Sequence, residues 1–461
     1  MPSPFETPPH RVQNSFFVID HQHARHAGLT LHQDGLSPLP SFPLLSYNGS
    51  MPEDVPTRRG LLTAGVSLGL APLAFSQGAT TTPTPSLSVR DFGAKGDGET
   101  DDSVAFQSAI DAAQKSGGGT VQIGSGRFRI GRGLRAGSTG RLGLMGTGGS
   151  TVLLYEPDEP LLQWPETSEC SQAFFADFVV QSAGKAKSHG TPVFALDGGM
   201  TRTTFQNIFF DGSGMPLGSG IRVRSVADTS AILNCVFWAV SGIGIELARG
   251  SEIRIVGGRI IGTNDQREGN TGIVLTGNNG GVHIVTTDII ALHTGLQIGG
   301  LGNTSNREVF ITHATFDSSV YGIRQYDNAY TSIAGCWTAS SDESQIQLEP
   351  SAEHGLVAVS GGTIFNGGAY KRKGAAHGMV AHAGSFNLSG VDVRHNVGIG
   401  LLVGEKVTNY VVNGCRIHHN GTAAELRGTG YAFSGNVVFD NAKGIQDLGR
   451  APKQVTSNVL R

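Results

Sequence analysis

What this 461-residue chain has little of already narrows its class. Charged residues make up 15% of it and nearly cancel, leaving a net charge of −3. That balance is too small to argue for a nucleic-acid partner or for an anionic membrane surface. Long helical patterns are missing, so helices are not the building unit. The apolar stretch within residues 57–76 is too short and too interrupted for a stable membrane span. Cysteine is scarce and scattered, as Cys170, Cys235, Cys336 and Cys415. In the repeat register below, the last three lie several coils apart. At about 4.8 Å per coil they are out of disulfide reach and read as buried or isolated thiols. Cys170 lies upstream of the aligned repeats.

Glycine, by contrast, is abundant at 67 residues, and from residue 219 onward it is periodic. Gly220-Ile221-Arg222-Val223, Gly244-Ile245-Glu246-Leu247, Gly272-Ile273-Val274-Leu275 and Gly295-Leu296-Gln297-Ile298 share one pattern. It recurs at Gly322-Ile323-Arg324-Gln325, Gly378-Met379-Val380-Ala381, Gly400-Leu401-Leu402-Val403 and Gly444-Ile445, and Gln345-Ile346-Gln347-Leu348 fills the wide gap. Most steps run from 22 residues (378 to 400) to 28 (244 to 272). A strand of this kind cannot bury its apolar side alone, so the units must stack. The expectation is an all-β solenoid: a single-stranded right-handed parallel β-helix with an N-terminal capping helix.

Four segments are expected. Residues 1–50 read as an over-extended start of translation, and Met51 stands just before the next segment. Within 51–79, Thr57-Arg58-Arg59-Gly60 precedes a mildly apolar run and resembles a twin-arginine export signal, which implies a periplasmic or extracellular protein. Residues 80–87 form a linker, and 88–461 the β-helix.

The β-helix opens with Asp91-Phe92-Gly93-Ala94-Lys95-Gly96-Asp97-Gly98-Glu99-Thr100-Asp101-Asp102, then an amphipathic segment from Val104 to Lys115, then Gly117-Gly118-Gly119-Thr120-Val121. This entry resembles that of the pectate-lyase-like superfamily. The resemblance implies the parallel β-helix and a carbohydrate-active protein, among relatives that include polysaccharide lyases, uronate epimerases, polygalacturonase-type hydrolases, β-1,3-glucanases and phage tailspikes. Asp101 and Asp102 read as helix N-capping residues rather than a catalytic pair.

The second strand of each repeat ends in an apolar anchor: Phe237, Ile260, Ile289, Phe316, Trp337, Ile364, Val393, Ile417 and Val438. Side chains alternate along a strand, so Cys336 and its counterparts before each anchor should face outward. Arg259 beside Asp288, and Asp392 beside Arg416, then read as surface ion pairs. Asn396, Asn420 and Asn441 fall in register as a turn ladder, and His395, His419 and Asp440 beside them as exposed turn residues.

On the outward side of the glycine strand, Gln297, Arg324, Tyr326, Gln347 and Glu349 form one patch. Amides, a guanidinium and an aromatic ring suit a sugar chain. Insertions at 263–270 and 366–376 bracket it, the second bringing Tyr370, Lys371 and Arg372, which suit an anionic polysaccharide. Three readings stay open. A lyase working by β-elimination would use Arg324 and Tyr326. A hydrolase needs two carboxyl groups roughly 5–10 Å apart, which Asp317 with Asp342 or Glu343 can supply from adjacent coils. A non-catalytic polysaccharide-binding or envelope module is the third. Glu246 and Glu349, four coils and about 19 Å apart, are too distant to pair. Thr263-Asn264-Asp265 is only a fragment of the polygalacturonase pattern, and Ala376-His377-Gly378 is no replacement for its Gly-His-Gly. No cofactor site is identifiable; calcium stays open, although the aspartate cluster that holds it in many pectate lyases is not recognisable.

Overall fold

The computed structural model describes residues 86–460 apart from 138–140, 264, 301–304 and 371. The export signal and Lys371 lie outside the described residues. From Leu87 onward the chain winds as a parallel β-helix of three 15-stranded sheets in which every strand pairing is parallel. Sheet 1 runs from Leu87–Ser88 to Arg450–Thr456, sheet 2 from Asp97–Asp101 to Val459–Leu460, and sheet 3 from Leu134–Arg135 to Lys443–Asp447.

The glycine repeat opens most sheet 3 strands from Ser219–Asp228 onward, with Gln345 and Ala423 at the glycine position of Ser344–Leu348 and Thr422–Leu426, and its register is that of the sequence: Ile245, Ile273, Leu296, Ile323, Ile346, Met379 and Leu401 stack one per coil. All seven are buried. Glycine recurs beside them because successive coils approach closely there. A Cβ on Gly272 would stand 2.5 Å from Gly295 O, and one on Gly295 would stand 2.5 Å from Gly322 O. Where a larger residue stands at this position, as Gln345 and Ala423 do, both buried, the neighbouring coil has to accommodate it.

Helix α1 (Ser103–Lys115) buries Phe106, Ala109, Ile110 and Ala113, with Phe106 packed edge-on to Phe128 at 5.4 Å. The two aspartates before it divide their work differently from the expectation. Asp101 Oδ1 accepts Ser103 N at 3.0 Å and Gly131 N at 3.1 Å, so it caps the helix start. Asp102 holds the N-cap position but turns its carboxylate back to Lys95 N and Gly96 N at 2.7 and 3.0 Å, tying down the entry loop.

Between sheets 2 and 3 the chain turns through a left-handed residue. Ser318, Ser340, Asn366, His395, His419 and Asp440 all have φ between 51° and 64°. His395 and His419 therefore sit at a turn position, their rings stacked at 4.8 Å. Behind them runs the asparagine ladder. Asn396 N and Nδ2 donate to Asn420 Oδ1 at 3.1 and 2.9 Å, and Asn420 N and Nδ2 donate to Asn441 Oδ1 at 2.9 and 3.0 Å. Asn420→Ala would orphan the buried Asn396 donors and Val393 O, which Asn420 Nδ2 now satisfies at 3.1 Å. At about 1–3 kcal/mol per orphaned group, the expected loss is about 3 kcal/mol, read from the denaturant midpoint. A loss below about 0.5 kcal/mol would show that the ladder is ornamental.

Three expectations on sheet 2 need correction. Phe316 pairs with Thr338, and Trp337 pairs with Thr315, so Thr338 is the core anchor and Trp337 faces out. Trp337 is 41% exposed and Thr338 only 1%. Cys336 is buried, its Sγ near Ile311 O and Ala334 O, because it fills the inward step before the strand as Cys235 and Cys415 do. All four cysteines are buried and unbridged. Arg259 pairs with Asp288 at 2.7 Å as expected, but Asp392 turns from Arg416 to Arg394 Nε and His418 Nε2, each at 3.0 Å.

Candidate active site at the entry to sheet 3

Gln297, Arg324 and Gln347 stand side by side on successive strands of sheet 3. Arg324 is not the free cation expected. Its Nη2 and Nε reach Glu349 Oε1 at 2.5 and 2.7 Å, and both side chains are largely buried, at 17% and 10% exposure. Gln347 Nε2 donates to the same oxygen at 2.9 Å, and Ser344 Oγ donates to Gln347 Oε1 at 2.9 Å. The guanidinium is sandwiched between Tyr321 and Tyr326, its Cζ 3.9 and 4.8 Å from the ring centroids. Glu349 takes the Nε hydrogen and one Nη2 hydrogen, which leaves the guanidinium's Nη1 side without a hydrogen-bond partner among the described residues. Gln297 Nε2 folds back to Gly299 O at 3.0 Å. The patch is therefore a pre-tied network built around one neutralised ion pair.

Three residues that the sequence did not mark as a site, His293, Tyr321 and His377, stand beside it together with Glu343, which it did. His293, Tyr321, Glu343 and His377 come from the entry to sheet 3 on four successive coils, Tyr321 and His377 in register with Thr294 and Ser344, and His293 and Glu343 one residue earlier. Tyr321 N donates to His293 O at 2.8 Å, Glu343 N to Val320 O at 2.9 Å, and His377 N to Glu343 O at 2.9 Å. At about 4.8 Å per coil the row is about 14 Å long. The His293 ring meets Tyr321 edge-on at 5.7 Å. Burial, reinforced by Arg324, holds the His293 imidazole below the usual histidine range, so it is neutral at neutral pH. Burial pushes the Tyr321 and Tyr326 hydroxyls up against the pull of Arg324, keeping both protonated. His377 is also pushed down by burial, and its Nδ1 accepts Ile399 N at 2.9 Å. Glu343 accepts only Ala375 N, at 3.2 Å, among the described residues. His293, Tyr321 and His377 share one signal: each stands at or just before the residue that precedes a repeat glycine or its neighbour strand.

The carboxylates proposed as a hydrolytic pair have separate fates. Asp342 is 3% exposed and gripped by Arg372 Nε, at 3.0 and 2.7 Å from its two oxygens. Burial pushes its carboxyl up and Arg372 opposes that. Asp317 faces outward on sheet 2, aligned with Ile290 and Ala339. Both inserted loops converge on the turn between them: Gln266 Nε2 and Arg372 Nη2 both donate to Ser318 O, and Tyr370 OH lies 3.0 Å from Ser318 Oγ. They clamp this corner rather than walling the two ends of the patch. Calcium does not fit here, because Asp342 and Glu349 are each committed to an arginine and no cluster of free carboxylates remains among the described residues.

Residues 86–347 match the family described as rhamnogalacturonase A/epimerase, pectate lyase-like, and residues 294–460 match the right-handed β-helix region. The first match spans more than half of the chain, which belongs to this family. Among curated proteins, alginate lyase 7 of Azotobacter vinelandii is 67% identical over 42 residues, 9% of this chain and 5% of that protein. Mannuronan C5-epimerase AlgE3 of the same organism is 54% identical over 44 residues, 10% of this chain and 2% of the epimerase. The matched stretch is thus a small part of either relative. Among solved structures, the Dettilon tailspike protein gp208 gives a TM-score of 0.53 at 16% identity, covering 78% of this chain and 68% of that one, a likeness of fold.

Proposed function

We propose that this protein cleaves an acidic polysaccharide by β-elimination at the entry to sheet 3. One observation carries the reading: a neutral, half-buried His293, a protonated Tyr321 and the guanidinium of Arg324 meet in one cluster. In a uronate the C6 carboxylate acidifies the C5 proton. His293 takes that proton, the C5 electrons form the C4–C5 double bond, and the C4–O bond breaks with Tyr321 delivering a proton to the departing oxygen. Nη1 of Arg324 and the Tyr326 hydroxyl face the carboxylate, where negative charge builds in the transition state. The short matches to an alginate lyase and a mannuronan C5-epimerase support chemistry at a uronate.

A hydrolase is favoured less, because Arg372 locks Asp342 and leaves Glu343 as a single carboxylate in the row. A purely binding role does not account for a neutral histidine beside a tyrosine and an arginine. Incubating residues 80–461 with polyuronates separates these outcomes. Unsaturated, ultraviolet-absorbing ends support elimination, new reducing ends without that absorbance support hydrolysis, and hydrogen exchange at C5 without scission supports epimerisation.

The twin-arginine segment supports a site of action outside the cytoplasm. Changing Arg58 and Arg59 together to Lys should trap the precursor in the cytoplasm, whereas starting translation at Met51 should leave export intact. Unchanged export of the paired variant, followed by fractionation, would remove this proposal.

A further inference from the structure

We propose that the corner formed by Trp337, Asp317 and Tyr370 is a second sugar-binding subsite, one that takes a neutral, hydroxyl-rich pyranose rather than a uronate. Trp337 is 41% exposed and Tyr370 57% exposed. For Trp337 the core was within reach, because the neighbouring Thr338 occupies the inward position of this strand instead. Both rings are nevertheless held in place. Trp337 packs edge-on against Phe365, with centroids 4.4 Å apart at 76°, and its Nε1 points at Asp317 Oδ2 at 3.4 Å. Tyr370 lies beneath the Arg372 guanidinium at 4.9 Å. Its hydroxyl meets Ser318 Oγ at 3.0 Å, which in turn donates to Asp317 Oδ1 at 2.9 Å.

The half-buried Asp317 carboxylate is thus set between two fixed aromatic rings, and the turn that carries it is clamped by both inserted loops through Ser318 O. This is the composition of a pyranose site. The apolar C–H face of a sugar lies on an aromatic ring, and a carboxylate accepts from its hydroxyls. Fixing the rings beforehand lowers the ordering cost of binding. Arg372 at this corner is paired with Asp342, its Nε 2.7 and 3.0 Å from the two carboxylate oxygens, so Asp317 is the carboxylate here without an ionic partner among the described residues, and its charge favours hydroxyl donors over a uronate carboxylate. The subsite shares no residue with the His293–Tyr321 row, so it stands whether or not elimination occurs there.

The test is calorimetric titration of the protein with two panels of oligosaccharides, one neutral (glucose-, mannose- and galactose-based) and one polyuronate. Mass spectrometry of each oligosaccharide after titration shows whether it was cleaved, and only intact ligands are scored, so activity of any kind at the other site, or its absence, cannot mask the result. At least one neutral oligosaccharide should bind. Trp337→Ala and Asp317→Asn should each weaken that binding tenfold or more, while Trp337→Phe retains most of it and shows that the corner still folds. No neutral ligand binding at all, binding indifferent to Trp337→Ala and Asp317→Asn, or loss of only polyuronate binding in these variants would each overturn the proposal.

Discussion

Tyr321→Phe should lower turnover on a responsive polyuronate by 10²-fold or more and leave the melting temperature nearly unchanged. The ring stays, so its packing against the Arg324 guanidinium at 3.9 Å and against His293 at 5.7 Å is preserved; only the hydroxyl goes. Proton transfer by a positioned side chain contributes about 10²–10⁴ in rate, so the loss falls on kcat more than on KM. His293→Gln should cost a similar factor. The pH profile ties the two together. His293 acts as an acceptor only when neutral, and burial with Arg324 depresses its pKa, so activity is lost as pH falls through a value below the ordinary histidine range. On the alkaline side Tyr321 must stay protonated, and its raised pKa keeps it so well above neutral pH. An acid limb that persists unchanged in His293→Gln would assign the base to another group. Full activity in Tyr321→Phe would move the chemistry away from this turn.

The fold was legible because it is written in a period. Glycine is favoured where the next coil's carbonyl leaves little room for a Cβ, and the apolar residue after that position faces the core even in the coils where Gln345 or Ala423 replaces the glycine, so the spacing carries the register. The asparagine ladder was legible for the same reason. Trp337 was misplaced because size argued for burial, whereas the pattern argued otherwise: Cys235-Val236-Phe237 and Cys415-Arg416-Ile417 place a buried cysteine two residues before the anchor, and Cys336 in that role makes Thr338 the anchor. The patch of Gln297, Arg324, Tyr326, Gln347 and Glu349 was found, but its internal wiring was not. Register brings Arg324 beside Gln347 and leaves Glu349 on the diagonal, and whether a long side chain folds onto that diagonal or reaches into solvent depends on packing that a one-dimensional pattern does not hold. His293 and Tyr321 are not marked by the repeat, because the repeat fixes the residues after each glycine, whereas these two stand just before it.

That internal wiring leads to the largest expected effect on stability. A surface arginine reaching for substrate can be changed with little effect on folding, but Arg324 neutralises a carboxylate that is 10% exposed. Arg324→Ala leaves Glu349 buried and unpaired, and breaking such a pair costs about 3–5 kcal/mol. Glu349→Gln leaves the guanidinium between two tyrosine rings with fewer bonds, so its loss should be smaller. The double variant Arg324→Met with Glu349→Met removes both charges together, and apolar replacement of a buried pair is often close to neutral, so it should recover most of what Arg324→Ala loses. Arg324→Lys keeps the charge but not the fork through Nε and Nη2, and should fall between wild type and Arg324→Ala. Denaturant midpoints of the four variants measure the coupling, and activity supplies a second reading. If Arg324 only supports the patch, the Met/Met protein should turn over substrate nearly as well as wild type once folded. If Nη1 also meets the substrate carboxylate, the same protein should be stable and inactive, which is the outcome expected here. A melting temperature unmoved by Arg324→Ala would mean that the pair is solvated in solution and that Arg324 is free to act as a clamp.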